Sequence, residues 1–264
     1  MIDAHIITMI NDQQSLVSAK ECIRSIWNTK SLIDAHIYRA TLPMSVVDDI
    51  KLYLKPYKKQ LLLANDTPRY TYPATPDQNR MDFATGLQLN AYRAADIRKV
   101  VACSISHMRL WMKCVRADKP LMVLEHDARF KSRFKFEYLT DHSTYKNPTL
   151  DRQSNLNFTK GVIGLNQPFG ATRKAKVYDE NLTLAGVNRV LSVDGPNDPP
   201  FPSGIAGNSA YIIYPEAAKA LLDKTAEVGI WPNDAIMCKQ LFPWLYHFKP
   251  YFTSIQPMPS TTTG

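Results

Sequence analysis

The sequence has few cysteines, and their spacing indicates neither a disulfide framework nor a zinc site. Cys22, Cys103, Cys114 and Cys238 are the four cysteines among 264 residues, and no two of them form a C-x-x-C pair. All four lie in apolar or helix-like segments, where a reduced thiol packs as a small hydrophobic group. This use of cysteine predicts a protein of the reducing cytosol.

Long hydrophobic runs are absent as well. No window approaches the roughly 18 uncharged apolar residues from which a membrane-spanning helix is recognised. Residues 1–6 carry neither a basic segment nor a long apolar run, which argues against a secretory signal. We therefore expect a cytoplasmic chain without stable membrane insertion.

Charge is unevenly distributed between the two signs. The chain has 32 Lys and Arg against 24 Asp and Glu, giving a formal net charge of +8. Such an excess favours polyanionic partners, namely nucleic acid, an anionic membrane surface or phosphorylated substrates, although a solvated basic surface without a special partner is the alternative. The 45% hydrophobic content is ordinary for a globular protein. We expect one domain over residues 1–255 and a polar tail over 256–264.

Hydrophobic periodicity predicts alternating strands and helices at the start of the chain, which favours a parallel sheet. Predicted strands cover residues 5–10, 35–40, 121–124, 161–165 and 209–214, with an edge strand at 246–252 that Pro250 breaks. Predicted helices cover 15–27, 96–117 and 215–222, and a last helix opens at 231–234 and runs to 241. Long loops are expected at 65–79 and 194–207.

An acidic triplet follows the most apolar predicted strand. Glu125-His126-Asp127 comes directly after residues 121–124, at the strand end where open α/β sheets bind ligands. In extended chain, Glu125 and Asp127 point to one side and His126 to the other. Two carboxylates fixed in this way can hold a divalent cation against phosphate oxygens. Alternatively, the pair caps the next turn.

Several segments together resemble glycosyltransferase family 25, of the lipooligosaccharide-biosynthesis type. They are residues 102–111, 124–130, 207–213, 215–218 and 231–234, and their order and spacing match over about 95–260. The resemblance implies a GT-A-like (Rossmann-like) α/β fold, a single domain whose mixed, mostly parallel sheet is flanked by helices. It also implies an inverting glycosyltransferase that uses a nucleotide-sugar, most simply a UDP-sugar, with Mn²⁺ or Mg²⁺. The family's Glu-Asp-Asp-Ala signature carries His126 here in place of its middle Asp.

The resemblance also assigns roles to individual residues. The implied metal ligands are Asp127, Glu125 and His247, and the implied general base is Asp234. The implied donor-binding residues are Thr8, Ser106, His107, His126 and Asn208. Alternatives remain for four of these residues: a first-turn or N-cap carboxylate for Asp234, buried structural histidines for His107 and His247, and for His126 either a tolerated neighbour or a ligand that favours softer metals.

The basic stretch 129–136, in which cations alternate with mostly aromatic residues, gives evidence about the acceptor. In a strand it would place four cations on one face, so Arg129, Lys131 and Arg133, with Asp194, are the candidate acceptor residues. Cations and aromatics together suit a phosphate backbone with exposed bases, unless the stretch is only a solvated edge. This favours hydroxymethylated pyrimidines of phage DNA over a lipid-linked surface oligosaccharide. An inactive sugar- or nucleic-acid-binding module is the third hypothesis, because of His126.

Overall fold

The computed structural model describes residues 1–73, 75, 78, 80–90, 96–139, 160–167, 175–183, 185–190, 202 and 208–257. The helices are α1 (Gln13–Asn28), α2 (Val46–Tyr53), α3 (Lys58–Leu61), α4 (Ile97–Ala117), α5 (Ala175–Asn181), α6 (Pro215–Val228) and α7 (Asn233–Ile236). The strands are β1 (Ile2–Thr8), β2 (Ile33–Arg39), β3 (Arg80–Asp82), β4 (Leu87–Leu89), β5 (Leu121–Glu125), β6 (Ala128–Phe130), β7 (Val162–Gly164), β8 (Gly186–Arg189), β9 (Ala210–Ile213), β10 (Leu245–Lys249) and β11 (Thr253–Ile255). Of the helices in these ranges, none combines the length and apolarity needed to cross a membrane.

A seven-stranded sheet organises the fold in the order β2-β1-β5-β9-β7-β10-β8. Strands β2, β1, β5, β7 and β10 run in one direction, and β9 and β8 run against them. The mixed, mostly parallel α/β sheet expected from the sequence is therefore confirmed. Because β5 lies near the middle of the sheet, its carboxyl end opens at the centre of one sheet edge.

Two apolar cores lie on opposite faces of this sheet, which explains why β5 is continuously hydrophobic. Its residues Leu121 and Val123 belong to the core beneath α4 and α6, whereas Met122 and Leu124 belong to the core beneath α1. The predicted helix over 96–117 is confirmed by α4, whose N-cap Asp96 accepts a hydrogen bond from the Arg98 amide. Its end is set by a left-handed Asp118 (φ 49°).

Two sequence-based expectations at the carboxyl-terminal end are wrong. The last helix does not reach residue 241, because Met237 leaves the helical region (φ −76°, ψ 58°) and the chain turns to bury Cys238 and Phe242. The strand predicted at the sheet edge, β10, lies between β7 and β8 instead. The expected break at Pro250 is found, because the strand ends at Lys249 and the missing amide falls outside the ladder.

A small ribbon outside the main sheet returns the chain to the end of β5. Strand β11 pairs antiparallel with β6, and the Gln256 amide then donates to the Asp127 carbonyl at 2.8 Å. The Gln256 side chain also donates to backbone carbonyls of Ser18, His126 and Ala128. The start of the segment predicted to be a polar tail is thus attached to the turn that carries Asp127.

Candidate active site

Two aspartates lie within electrostatic reach of Glu125 at the carboxyl end of β5. Glu125 is the last residue of that strand, and Asp127 lies two residues later in the turn to β6. Asp234 comes from the first turn of α7, and the negative charge of Glu125 acts on both aspartates. The sheet and α7 therefore place both aspartates, which the sequence assigned to metal binding and catalysis, within electrostatic reach of Glu125.

One carboxylate oxygen of Asp127, Oδ1, is buried without a hydrogen-bond partner among the described residues. Burial, followed by the charge of Glu125, raises the pKa of Asp127 to about 7. A carboxylate in this position is stabilised by a cation, because the cation replaces the solvent that the fold has removed.

Asp234 is perturbed in the same direction and for similar reasons. Burial and then the charge of Glu125 raise its pKa to about 6, although hydrogen bonds from its own amide and that of Ala235 oppose the shift. A carboxyl group with this pKa is mostly ionised at neutral pH and is still a better proton acceptor than an ordinary aspartate.

A buried chain of hydrogen bonds holds Glu125 in place. The Trp111 indole donates to the Tyr211 hydroxyl oxygen at 2.8 Å, and that hydroxyl lies 2.8 Å from His107 Nδ1. Indole is only a donor, so the Tyr211 proton is directed at Nδ1 and His107 keeps its own proton on Nε2. Nε2 lies 3.1 Å from Glu125 Oε1 and donates to it. His107 thus orients the carboxylate, a contact of the kind that fixes metal ligands in many sites.

Cys103 joins this group, and sequence reasoning did not select it as a site residue. Within the described ranges, Cys103, His107 and Glu125 are the one trio of metal-binding side chains whose ligand atoms lie within 4.8 Å of one another. Burial and then the charge of Glu125 raise the pKa of Cys103 well above its usual range, and the thiol donates to Asn233 Oδ1 at 3.6 Å. A protonated thiol is a poor ligand, so the carboxylates suit a hard cation better. Cys103 lies four residues before His107 on α4, and this spacing was the sequence signal that could have identified it as a site residue.

The proposed donor-binding residues separate into two groups. Asn208 lies beside the site, and its side chain contacts Met237. The carbonyl of the next residue, Ser209, accepts a hydrogen bond from the Glu125 amide. Thr8 and Ser106 are almost completely buried, and their hydroxyls donate to backbone carbonyls of their own segments. This placement gives a donor no surface on either hydroxyl.

His126 lies in the acidic turn, but its ring is directed elsewhere. Its side chain hydrogen-bonds to the backbone of Ile7 at the end of β1. Burial lowers its pKa, which favours the neutral imidazole. His126 therefore ties the turn to β1, while Glu125 and Asp127 provide the negative charge.

His247, an implied metal ligand, is not brought to the carboxylates. His247 on β10 pairs with Gly164 on β7, Gly164 pairs with Tyr211 on β9, and Tyr211 pairs with Val123 on β5. Three strand spacings of about 4.8 Å therefore separate His247 from β5. The ring is fully buried, and neither nitrogen has a hydrogen-bond partner in the described part of the chain. Burial lowers its pKa to about 3. Its place against Gly164 supports the structural alternative.

The basic stretch after the acidic turn differs from the predicted amphipathic strand. Strand β6 ends at Phe130, and a 3₁₀ turn follows at Phe136–Leu139. Arg129, Lys131 and Arg133 are exposed as expected, whereas Phe130 and Phe134 are buried in the core beneath α1. The rings of Phe130 and Phe134 are consequently not available to stack on bases, and this part of the argument for DNA is wrong. Asp194 lies outside the described residues.

A family match over most of the chain identifies the class of enzyme. Residues 28–237 match the family described as glycosyltransferase family 25 (LPS biosynthesis protein). Among curated proteins, none matches this sequence significantly. Among solved structures, the apo form of mouse xyloside xylosyltransferase 1 is similar at 10% identity and a TM-score of 0.39, over 94% of this chain and 83% of that one. With a family match over most of its length, the chain belongs to glycosyltransferase family 25 and is a glycosyltransferase.

Proposed function

We propose that this glycosyltransferase moves a sugar from a nucleotide-sugar, with UDP as the preferred nucleotide, to a hydroxyl acceptor with inversion at the anomeric carbon. The observation that carries the proposal is a buried carboxylate oxygen of Asp127 that lacks a hydrogen-bond partner among the described residues, beside Glu125, whose negative charge also acts on Asp234. Such a site suits a nucleoside diphosphate leaving group, whose charge a bound cation would neutralise.

Asp127 and Glu125 fit a divalent cation such as Mn²⁺ or Mg²⁺. Both offer hard oxygen ligands, and His107 holds Glu125 in a fixed orientation. When bound, the cation would neutralise the diphosphate leaving group. Without it, repulsion from Glu125 and burial keep the pKa of Asp127 near 7, which means that the chain itself opposes full ionisation of the cluster.

Asp234 is the proposed general base. The acceptor oxygen forms its bond to the anomeric carbon from the face opposite the leaving group, its proton passes to the Asp234 carboxylate, and the nucleoside diphosphate departs with the electron pair. A pKa of about 6 leaves Asp234 ionised at neutral pH and well matched to this task. Only one carboxylate is required to accept a proton, which leaves Glu125 and Asp127 free to bind the cation.

The acceptor proposed here is an anionic surface glycan carried on a lipid. Exposed Arg129, Lys131 and Arg133 follow Asp127 along the chain and supply positive charge for it. The family description supports this class of acceptor. The positive charge would also suit hydroxymethylated DNA. However, Phe130 and Phe134 of the protein are buried and give the DNA bases no surface on which to stack.

The first experiment measures release of free UDP from a set of UDP-sugars with Mn²⁺ and with EDTA. Asp127→Asn and Asp234→Asn should each reduce turnover by about 100-fold or more, as expected for loss of a charge-stabilising or proton-accepting group. Asp48→Asn removes an exposed carboxylate of α2 and is the matched control. Full activity of both site variants would refute the roles assigned here, and no turnover with any donor would favour an inactive binding module.

The second experiment identifies the acceptor by mass spectrometry. Lipid-linked oligosaccharide and hydroxymethylcytosine-containing DNA are incubated separately with the active donor. Sugar added to the glycan alone supports the proposal, whereas sugar added to the DNA replaces it with the nucleic-acid hypothesis.

A further inference from the structure

A second cluster of metal-binding side chains arises from a short identity in the sequence. The pentapeptide Ile-Asp-Ala-His-Ile occurs at residues 2–6 and again at residues 33–37. Strands β1 and β2 are parallel neighbours, and their register pairs the two copies residue for residue, with Asp3 beside Asp34 and His5 beside His36. Since side chains two residues apart share a face, two aspartates and two histidines lie together on one face at the sheet edge.

The polar atoms of these four side chains are close to one another. His5 Nε2 lies 3.4 Å from Asp3 Oδ2, and His36 Nε2 lies 3.9 Å from Asp3 Oδ1. His36 Nε2 is also 3.2 Å from Asp34 Oδ1. Asp3 therefore stands between the two imidazoles and has one oxygen directed to each of them.

A cation already occupies the centre of this group. The Lys113 ammonium, from α4, hydrogen-bonds to His5 Nε2 and lies 3.7 Å from Asp3 Oδ2. The ammonium has no lone pair, so His5 accepts this bond through a ring nitrogen that is free to bind a metal.

The position is accessible from solvent. Asp3, Asp34 and Lys113 line a solvent-open cavity of about 430 Å³. The side chains of Asp34 and His36 are 63% and 53% exposed, and that of Lys113 is 43% exposed, so all three can rotate without disturbing the core. His5, in contrast, is buried and fixed.

We propose that His5, His36 and Asp3, with Asp34 as a fourth ligand, form a binding site for a divalent transition metal, which enters by displacing the Lys113 ammonium. Metal coordination requires His36 to rotate toward Asp3, because the ligand atoms lie too far apart in this structure to contact one ion together. Two imidazoles with carboxylates select Zn²⁺, Cu²⁺ or Ni²⁺ over Mg²⁺ and Ca²⁺. The site is separate from Glu125 and Asp127, which lie at the opposite end of the strands. A bound ion would join the edge strand β2 to β1.

The test uses tag-free protein carrying Glu125→Gln and Asp127→Asn, so that neither the acidic cluster nor the trio of Cys103, His107 and Glu125 competes for metal. Zn²⁺ binding is measured by calorimetry, and Cu²⁺ ligation by the nitrogen hyperfine structure of its electron paramagnetic resonance spectrum. We expect one ion with imidazole nitrogens bound, and His36→Asn should weaken binding by about tenfold or more. Lys113→Met should tighten binding severalfold by removing the competing ammonium, whereas Lys20→Met, an exposed lysine on α1, should leave it unchanged.

Thermal unfolding gives an independent readout. Zn²⁺ should raise the melting temperature of the parent protein and of Lys113→Met more than that of His36→Asn, because weaker binding contributes less stability. Equal affinity of His36→Asn and the parent would overturn the proposal, as would a Cu²⁺ spectrum without imidazole nitrogen. Lys113→Met and Lys20→Met with the same affinity would refute displacement of the ammonium.

Discussion

Replacing Asp127 with Asn should make the metal-free protein more stable while removing its activity. The fold holds this carboxylate in a buried position beside Glu125, where its pKa is about 7, against an ordinary value of 3.8. The folded state therefore binds the Asp127 proton more tightly than the unfolded state does. The contribution of Asp127 to the free energy of unfolding is therefore fully present below pH 3.8 and is lost as the pH rises toward 7.

The size of the effect follows from the shift. A difference of about 3 pKa units corresponds to about 4 kcal/mol. The side chain retains some solvent contact, so screening reduces the expected gain to about 2 kcal/mol at pH 8. For a chain of 264 residues this is a rise in melting temperature of about 4–8 °C.

The assay is urea unfolding in EDTA at pH 5, 6, 7 and 8, with Asp48→Asn as the control for loss of an exposed carboxylate. The advantage of Asp127→Asn over the parent should be about a third of its full size at pH 5, grow further up to pH 7 and level off at pH 8. Adding Mn²⁺ should then stabilise the parent and not the variant, because the cation neutralises the buried Asp127 carboxylate, which the variant lacks. A pH-independent difference, or a less stable Asn variant, would refute the reasoning.

Three further predictions concern the same site and the core behind it. The parent's activity should rise with pH through about 6 as Asp234 loses its proton, and the small residual activity of Asp234→Asn should lack that dependence in a pH–rate profile. Tyr211→Phe should cost about 1–3 kcal/mol in urea unfolding, since His107 loses its buried partner, and the misplaced Glu125 should raise the Mn²⁺ concentration needed for half activity. Gly164→Ala should destabilise by about 1–3 kcal/mol, because a Cβ there would lie 2.5 Å from the His247 ring, and adding His247→Ala should restore most of the loss.

Local patterns predicted the central elements well because those elements are long or strongly apolar. The periodicity of 96–117 was sufficient for α4, since a 21-residue amphipathic helix with an aspartate N-cap depends little on its neighbours. The uninterrupted run at 121–124 similarly indicated a buried strand. Shorter elements failed: the single turn of α7 and the interior place of β10 depend on what packs against them, which local sequence does not contain.

The site was predictable in its acidic residues and less so in their surroundings. Glu125 and Asp127 followed from their place after a buried strand, and Asp234 from a family resemblance. The hydrogen bonds from Trp111 through Tyr211 to His107 join a helix and a strand about 100 residues apart, so no spacing rule could connect them.

By itself the sequence determined an α/β chain of family 25 with carboxylates at the end of its central strand, because hydrophobic periodicity and short motifs are local properties. The tertiary structure alone decided which of the implied ligands meet. It placed His247 three strands away, buried Phe130 and Phe134, and left Asp127 Oδ1 without a partner among the described residues. It also aligned two identical pentapeptides that lie 31 positions apart, as the pairing of Ile2 with Ile33 shows. Register, burial and charge compensation are set by residues distant in sequence, and only packing brings them together.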